Sequence, residues 1–305
     1  MSVVRVPARP ERVGRFAGRL RKEKWGYLFI APSFIVFGIF FLVPVLGAAS
    51  LSFVRYTPFF IDWVGLENYR AVFGDPVFWL SLRNNLFYAL GVVPLWLGKA
   101  LVISALIYPL SPRLQTFFKS AFYLPNVTSS IIISMIWLWL YNPTFGLFNQ
   151  LLNLVGLPDV AWLGSTRTAL LSLIIMAVVM GAGSSIVLIT ATMTSIPMEI
   201  YEAAAIDGAG KWRMFRSITV PLLRPIILYL VVIGTISSFQ VFENVYVMTR
   251  GGPQFATTTI VYLIYETAFR SFDFGRASAQ AMVLFVVIFI FGIVQFKLLS
   301  SRAEY

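Results

Sequence analysis

Six apolar stretches alternate along the chain with polar connections: residues 27–54, 84–108, 120–140, 169–193, 222–248 and 277–299. A bilayer core of about 30 Å needs about 20 residues of apolar helix, and each stretch meets that length. The pattern predicts an all-α integral membrane protein with six transmembrane helices. Two long connections, 56–80 and 141–168, separate the early spans. In the second, Leu147, Leu151, Leu152 and Val155 recur at helical spacing, which predicts a short helix lying on the surface. Between the fourth and fifth spans lies a charged insert, residues 202–221, reading EAAAIDGAGKWRMFRSITVP.

Composition supports a chain solvated mostly by lipid. Of 305 residues, 58% are hydrophobic and 12% charged, against about 25% charged in soluble domains. The net charge of +11 follows no single stripe, which argues against nucleic acid. Basic residues gather in alternate connections, with sixteen on one side against seven on the other. That bias places both termini and the insert in the cytoplasm, N-in and C-in. The chain therefore divides into a basic cytoplasmic tail (1–26), a membrane domain (27–300, with the insert at 194–221) and a short cytoplasmic end (301–305). The first apolar stretch exceeds the 7–15 residues of a signal peptide and reads as an uncleaved span.

The chain contains no Cys and no His. Disulfides, thiolate metal sites and imidazole catalysis are thereby excluded. No metal site and no catalytic group is expected, and no GxxxxGK[ST] phosphate loop is present.

Local physics shapes the insert. Pro197 suits a helix start, and Glu199 and Glu202 favour the positive end of the helix dipole. Ala203 to Ala205 form helix readily with little bulk, so another surface can come close. Gly208 and Gly210 permit the positive φ that ends a helix. A second short helix fits residues 211–218, with Met214, Phe215 and Ile218 on one face and Arg213 and Arg216 toward water or lipid phosphate. These features fit either an ordinary helical hairpin between spans or a grip for a partner.

Polar residues within spans are candidates for function or for packing. Lys99 sits inside the second span and reads as structural. Gly181, Gly183, Ser184 and Ser185 mark either a packing seam or a passage. Ser237, Ser238, Gln240, Glu243 and Asn244 offer groups that exchange hydrogen bonds with sugar hydroxyls, or else simply meet outer water. The candidate pathway residues are thus Gly183, Ser184, Gln240, Glu243 and Asn244. Trp137, Trp139 and Tyr141 read as an interfacial aromatic belt.

The insert resembles the cytoplasmic signature of ABC-importer permeases, E-A-A, three residues, Gly, nine residues, I-x-L-P. Glu202, Ala203, Ala204, Gly208, Ile218 and Pro221 stand in register, Asp207 fits the fuller form, and Val220 replaces the usual Leu. WVGLENYRAVFGDPVFWLSLRNN (63–85), YNPTFGLFNQLLNLVGLPDVAWL (141–163) and FQVFENVYVMTRGGP (239–253) resemble other segments of the carbohydrate and glycerol-phosphate permeases. Arg250 stands where many relatives have Gly. The resemblance implies a type I importer permease fold in a bacterial or archaeal cytoplasmic membrane. It implies a non-enzymatic subunit that pairs with a second permease as a heterodimer and rests on two ATPase subunits using ATP and Mg. An extracytoplasmic solute-binding protein would deliver the cargo, a sugar, oligosaccharide, polyol or glycerol phosphate. Glu202 would pair with a basic residue of the ATPase, Gly208 would allow the turn, and Ala203 and Ala204 would permit close approach. A secondary transporter or channel is the alternative, but it needs a driving-ion site and leaves the insert unexplained. A membrane enzyme would need clustered acids or bases that the spans lack.

Overall fold

The computed structural model describes residues 24–300. The expected basic tail up to residue 23 and the segment 301–305 lie outside the described residues. The described chain divides into two compact units at residue 50. The first is a single apolar rod: α1 (Lys24–Phe37) passes through a π-helical turn at Gly38–Leu42 into α2 (Val43–Leu51). It coincides with the first expected span.

The second unit begins with a small antiparallel hairpin, β1 (Val54–Tyr56) and β2 (Ile61–Trp63), in which Arg55 pairs with Asp62. Next comes α3 (Glu67–Gly74). The buried Asn68 amide donates to Ser52 O and Val54 O at 2.9 and 3.0 Å, joining α3 to the hairpin. Helix α4 (Pro76–Ile107) starts two turns ahead of the expected second span. Asp75 is the reason: its Oδ1 accepts from Val77 N at 2.9 Å, and Pro76 has no N–H to leave unpaired. Asp75 also pairs with Arg276 at 2.5 Å, near the start of α16 (Phe274–Ser300).

Helix α4 is the axis of the bundle. Against it pack α8 (Ala169–Met180), α9 (Gly183–Thr194) and α13 (Arg224–Phe239), while α16 packs on α13. Helix α4 buries Tyr88, Leu97, Ala100 and Ser104 and exposes Phe87, Leu90, Leu95, Val102 and Leu106 along its length. Exposed apolar surface of that length is expected of a helix facing lipid.

Three of the expected spans are interrupted. The third is two helices, α5 (Pro112–Val127) and α6 (Ser130–Leu140), meeting at 94°. The extended backbone of Thr128 and Ser129 makes the corner. The fourth bends by 43° between α8 and α9, at Gly181 and Ala182. The fifth pauses at residues 240–242 before a short α14 (Glu243–Met248). Four helical segments are each long and apolar enough to cross a membrane, and six are if each bent pair forms one span.

The breaks free backbone groups that lipid cannot satisfy, and α4 supplies partners. Asn85 Nδ2 donates to Ser238 O and Phe239 O at the end of α13, at 3.1 and 3.3 Å. Its Oδ1 accepts from Ile260 N at 2.7 Å, the first residue of α15 (Ile260–Tyr265). Asn84 Nδ2 donates to Phe255 O and Thr258 O at 2.9 and 3.0 Å, fixing the loop before α15.

The surface helix expected in the second long connection is present as α7 (Leu147–Leu154). Leu147, Leu151 and Val155 face outward, while Phe148 and Asn149 turn inward. The aromatic belt needs correction. Trp137 and Tyr141 are core residues, 5% and 2% exposed, and only Trp139 is largely exposed. The i, i+4 spacing puts Trp137 and Tyr141 on one face of α6. There Tyr141 packs on Phe148 and Trp162, with ring centres 5.1 and 5.3 Å apart.

Candidate functional site

Two places gather the candidate residues. The first is the insert, a rigid helical hairpin. Helix α10 (Met198–Ile206) ends at Asp207, and Gly208 takes φ +77°. Ala209 N donates to Ala204 O at 2.9 Å and Gly208 N to Ala205 O at 3.0 Å. These are the paired 6→1 and 5→2 bonds of a Schellman cap, which satisfy the last carbonyls of the helix. A Cβ at Gly208 would meet nothing within 4 Å; the positive φ, and not crowding, is what selects glycine there.

The return arm begins with α11 (Lys211–Met214) and winds through a π-helical turn at Phe215–Thr219 into α12 (Val220–Leu222). It therefore continues past the expected end at residue 218. Tyr201 and Thr219 share a hydroxyl hydrogen bond of 2.9 Å, which locks the two arms together. The signature residues then divide by exposure. Glu202, Ala203, Asp207 and Gly208 are exposed, whereas Ala204, Ile218 and Pro221 are half-buried. The first set forms an outward face; Ile218 and Pro221 belong to the return that holds it in place. Ile206 (87%) and Trp212 (73%) are the most exposed large apolar residues of the insert. Glu202 makes no ion pair among the described residues.

The second place is an open cavity of about 460 Å³ lined by residues of α4, α5, α6, α8, α9, α13 and α14. All three interruptions reach it. Asn126, Thr128 and Ser130 come from the α5–α6 corner, Gly181 and Ser184 from the α8–α9 bend, and Val241 and Asn244 from the α13–α14 gap. Irregular backbone at membrane depth is tolerated where it lines a cavity or is buried in protein. Asn126 Nδ2 donates to Ser184 Oγ at 3.2 Å. Ser130 and Ser134 donate to Asn244 Oδ1 at 2.8 and 3.0 Å. No Asp, Glu, Lys or Arg is among the lining residues.

The cavity separates the candidate pathway residues. Ser184 and Asn244 line it, as do Ser237 and Ser238. Gln240 and Glu243 are exposed and lie outside the lining. Gly183 lies at a helix contact, where any Cβ would collide with the backbone of Phe122 and Tyr123; the packing seam is its place.

Lys99 serves the bend. Its Nζ donates to Val178 O and Val179 O, both at 2.6 Å, and Trp96 Nε1 donates to Gly181 O at 2.6 Å. These three carbonyls end α8 and have lost their helical partners. A lysine at mid-span costs about 2.5–3.5 kcal/mol. Hydrogen bonds from a charged donor return about 1.5–3 kcal/mol each, so the pair offsets the insertion cost.

Trp96, Tyr88 and Asn126 were missed as cavity residues by sequence reasoning. Trp96 stands three residues before Lys99 on the same face of α4, a signal that could have found it. Its indole fits because Gly234 offers no Cβ, which would lie 2.9 Å from the ring.

Residues 100–304 match the family model of the binding-protein-dependent transport system inner membrane component. The trehalose/maltose transport system permease protein MalF of Thermococcus litoralis is 34% identical over 290 residues, covering 94% of this chain and 97% of the relative. The lactose transport system permease protein LacF of Rhizobium radiobacter is 30% identical over 273 residues, covering 87% and 91%. A chain of a bacterial ABC transporter involved in import of the acidic polysaccharide alginate shares the fold, with TM-score 0.83 at 22% identity, covering 95% of this chain and 100% of that one. Such permeases are transport components without enzymatic activity. With two thirds of its length matched by the family model and relatives at this identity spanning nearly the whole chain, the protein belongs to the family of ABC-importer permeases, among their sugar-transport subunits.

Proposed function

We propose that this chain forms one half of a solute pathway through a bacterial or archaeal cytoplasmic membrane. It crosses six times with both ends in the cytoplasm, each bent helix pair acting as one span. A second, different permease subunit supplies the other half. Two ATPase subunits, which carry ATP and Mg, dock on the insert at residues 194–221, and an extracytoplasmic binding protein delivers the cargo. The chain itself needs no cofactor.

The observation that carries this reading is the insert. Glu202 and Ala203 stand outward on a capped, cross-braced hairpin, with no ion pair to Glu202 among the described residues. A stiff lever transmits closure of a motor to the attached spans, and coupling requires a two-state element that both ends bias. The cavity supports a sugar cargo: hydroxyls and amides converge beside the indole of Trp96 in about 460 Å³, within the ~300–1,000 Å³ typical of small-molecule sites. Ser184 and Asn244 are its polar contacts from the bent spans; Gly183, Gln240 and Glu243 act on packing and on the outer approach.

The test is reconstitution of the four-subunit transporter with its binding protein in proteoliposomes. In the Glu202→Lys variant, ATP-driven uptake should fall at least tenfold while membrane insertion is unchanged. Wild-type uptake by this variant would refute ATPase docking at the insert.

A further inference from the structure

A second recess shares no lining residue with the 460 Å³ cavity, and solute translocation does not use it. It has a volume of about 730 Å³ and opens between the first half of α4 and the start of α8. Arg83, Phe87, Leu90 and Gly91 form its α4 wall; Arg167, Leu171 and Ile174 lie on the α8 side. The spacing i, i+4, i+7, i+8 sets the α4 residues in one descending stripe. The spacing from Arg167 to Leu171 and Ile174 does the same for α8. Each stripe therefore begins with a guanidinium and continues with hydrocarbon. At the floor the helices close on each other: a Cβ on Gly91 would lie 2.9 Å from Ile174 Cδ1.

The depth of the two arginines identifies the occupant. About 20 residues of helix cross a core of about 30 Å. Counting back from Ile107, the far end of α4, brings the edge of the hydrocarbon to Phe87. Arg83 is one turn further out, at headgroup level. Arg167 precedes the first residue of α8 and meets the same level. Both side chains are exposed, and neither guanidinium has a hydrogen-bond or ion-pair partner among the described residues. Phe87, Leu90 and Leu171 are more than half exposed below them.

We propose that this recess is a binding site for an anionic phospholipid of the outer leaflet. The phosphate sits between Arg83 and Arg167, where planar guanidinium groups match phosphate oxygens. An acyl chain lies between the α4 and α8 stripes down to the Gly91–Ile174 contact. The lipid acts as a wedge between the axis of the bundle and the bent span. The site rests on the reading of α4 and α8 as spans.

The test uses the assembled transporter purified in detergent, with bound lipid counted by native mass spectrometry during titration with phosphatidylglycerol or phosphatidylcholine. We expect phosphatidylglycerol to be retained over phosphatidylcholine, and Arg83→Gln with Arg167→Gln to lower its retention about tenfold. Leu171→Trp, which fills the groove and leaves both arginines, should lower it as well. Inorganic phosphate should not displace the lipid. Equal retention in all variants overturns the site, as does displacement by phosphate, which would mark a simple anion site. If the arginine variants keep their lipid but lose stimulation of ATPase activity by the binding protein, the recess receives an acidic group of that protein and the lipid assignment fails. The span reading is checked separately, because the chain has no native Cys. Gly164→Cys, at an exposed position just before α8 and outside the recess lining, should react with a membrane-impermeant maleimide from outside; protection from both sides would overturn the span and the lipid site together.

Discussion

Polar residues in the bundle and polar residues in the insert behave in opposite ways. In the bundle, Asn85, Trp96 and Lys99 spend their hydrogen bonds on backbone groups released by broken helices, and Asn84 on carbonyls of the loop before α15. In the insert, the helix end is closed by its own backbone, through the Schellman bonds at Gly208 and Ala209. Its side chains are thereby left over: Glu202, Asp207, Lys211 and Arg213 are exposed. A polar group whose hydrogen bonds are all spent on its own fold has none left to offer a partner. The contrast separates groups that hold the architecture from groups that reach outside it, and charge alone does not make that distinction.

The largest effect is expected at Gly208. Its φ of +77° is disfavoured for a β-branched residue. Gly208→Val should disturb the Schellman cap and re-aim the outward face of α10. Uptake by the reconstituted transporter should fall to near background, while thermal unfolding of the permease shifts little, because the strain is confined to the exposed hairpin. Retained uptake would mean that the orientation of the hairpin does not matter to coupling.

A smaller effect belongs to the bundle. Asn85→Leu removes two donated bonds and one accepted bond, leaving Ser238 O, Phe239 O and Ile260 N without that partner. Each unsatisfied group costs about 1–3 kcal/mol, although membrane hydrogen bonds measured by double-mutant cycles average about 0.6 kcal/mol. A loss of about 2–4 kcal/mol is expected, read by unfolding in detergent. The ATPase docking affinity should stay unchanged, since Asn85 lies on the bundle axis and not on the hairpin.

These two positions also show what a sequence can and cannot convey. The insert was legible because its structure is local. Glycine, small residues and acidic residues stand within twenty positions, and the cap uses only its own backbone. The cavity was not legible in the same way. Tyr88, Trp96, Asn126 and Asn244 come from α4, α5 and α14, and no spacing rule links them. Four of the apolar stretches coincide with single helices long and apolar enough to cross a membrane and two with bent pairs; hydropathy does not register a 94° corner. Pro125 and the polar run Thr128–Ser130 were its only local signs. Trp137 and Tyr141 misled for the same reason: an aromatic near a span end looks interfacial until Phe148 and Trp162 arrive from elsewhere to bury it.

The smallest effect is expected at a polar residue of the bundle. Gln280 is fully buried in α16, and neither its Nε2 nor its Oε1 has a hydrogen-bond partner among the described residues. It is a polar residue of the bundle that meets no broken helix end. This amide therefore contributes nothing to holding the fold, and its burial is a net cost. An apolar side chain of similar volume should then be tolerated or preferred. Gln280→Leu is expected to leave transport unchanged and to raise stability by about 1–3 kcal/mol, measured as a shift of the unfolding midpoint in detergent. A destabilised Gln280→Leu protein would show that the amide has a partner in the assembled transporter. Gln280 would then belong with Glu202, among the groups kept for another molecule, rather than with Asn85.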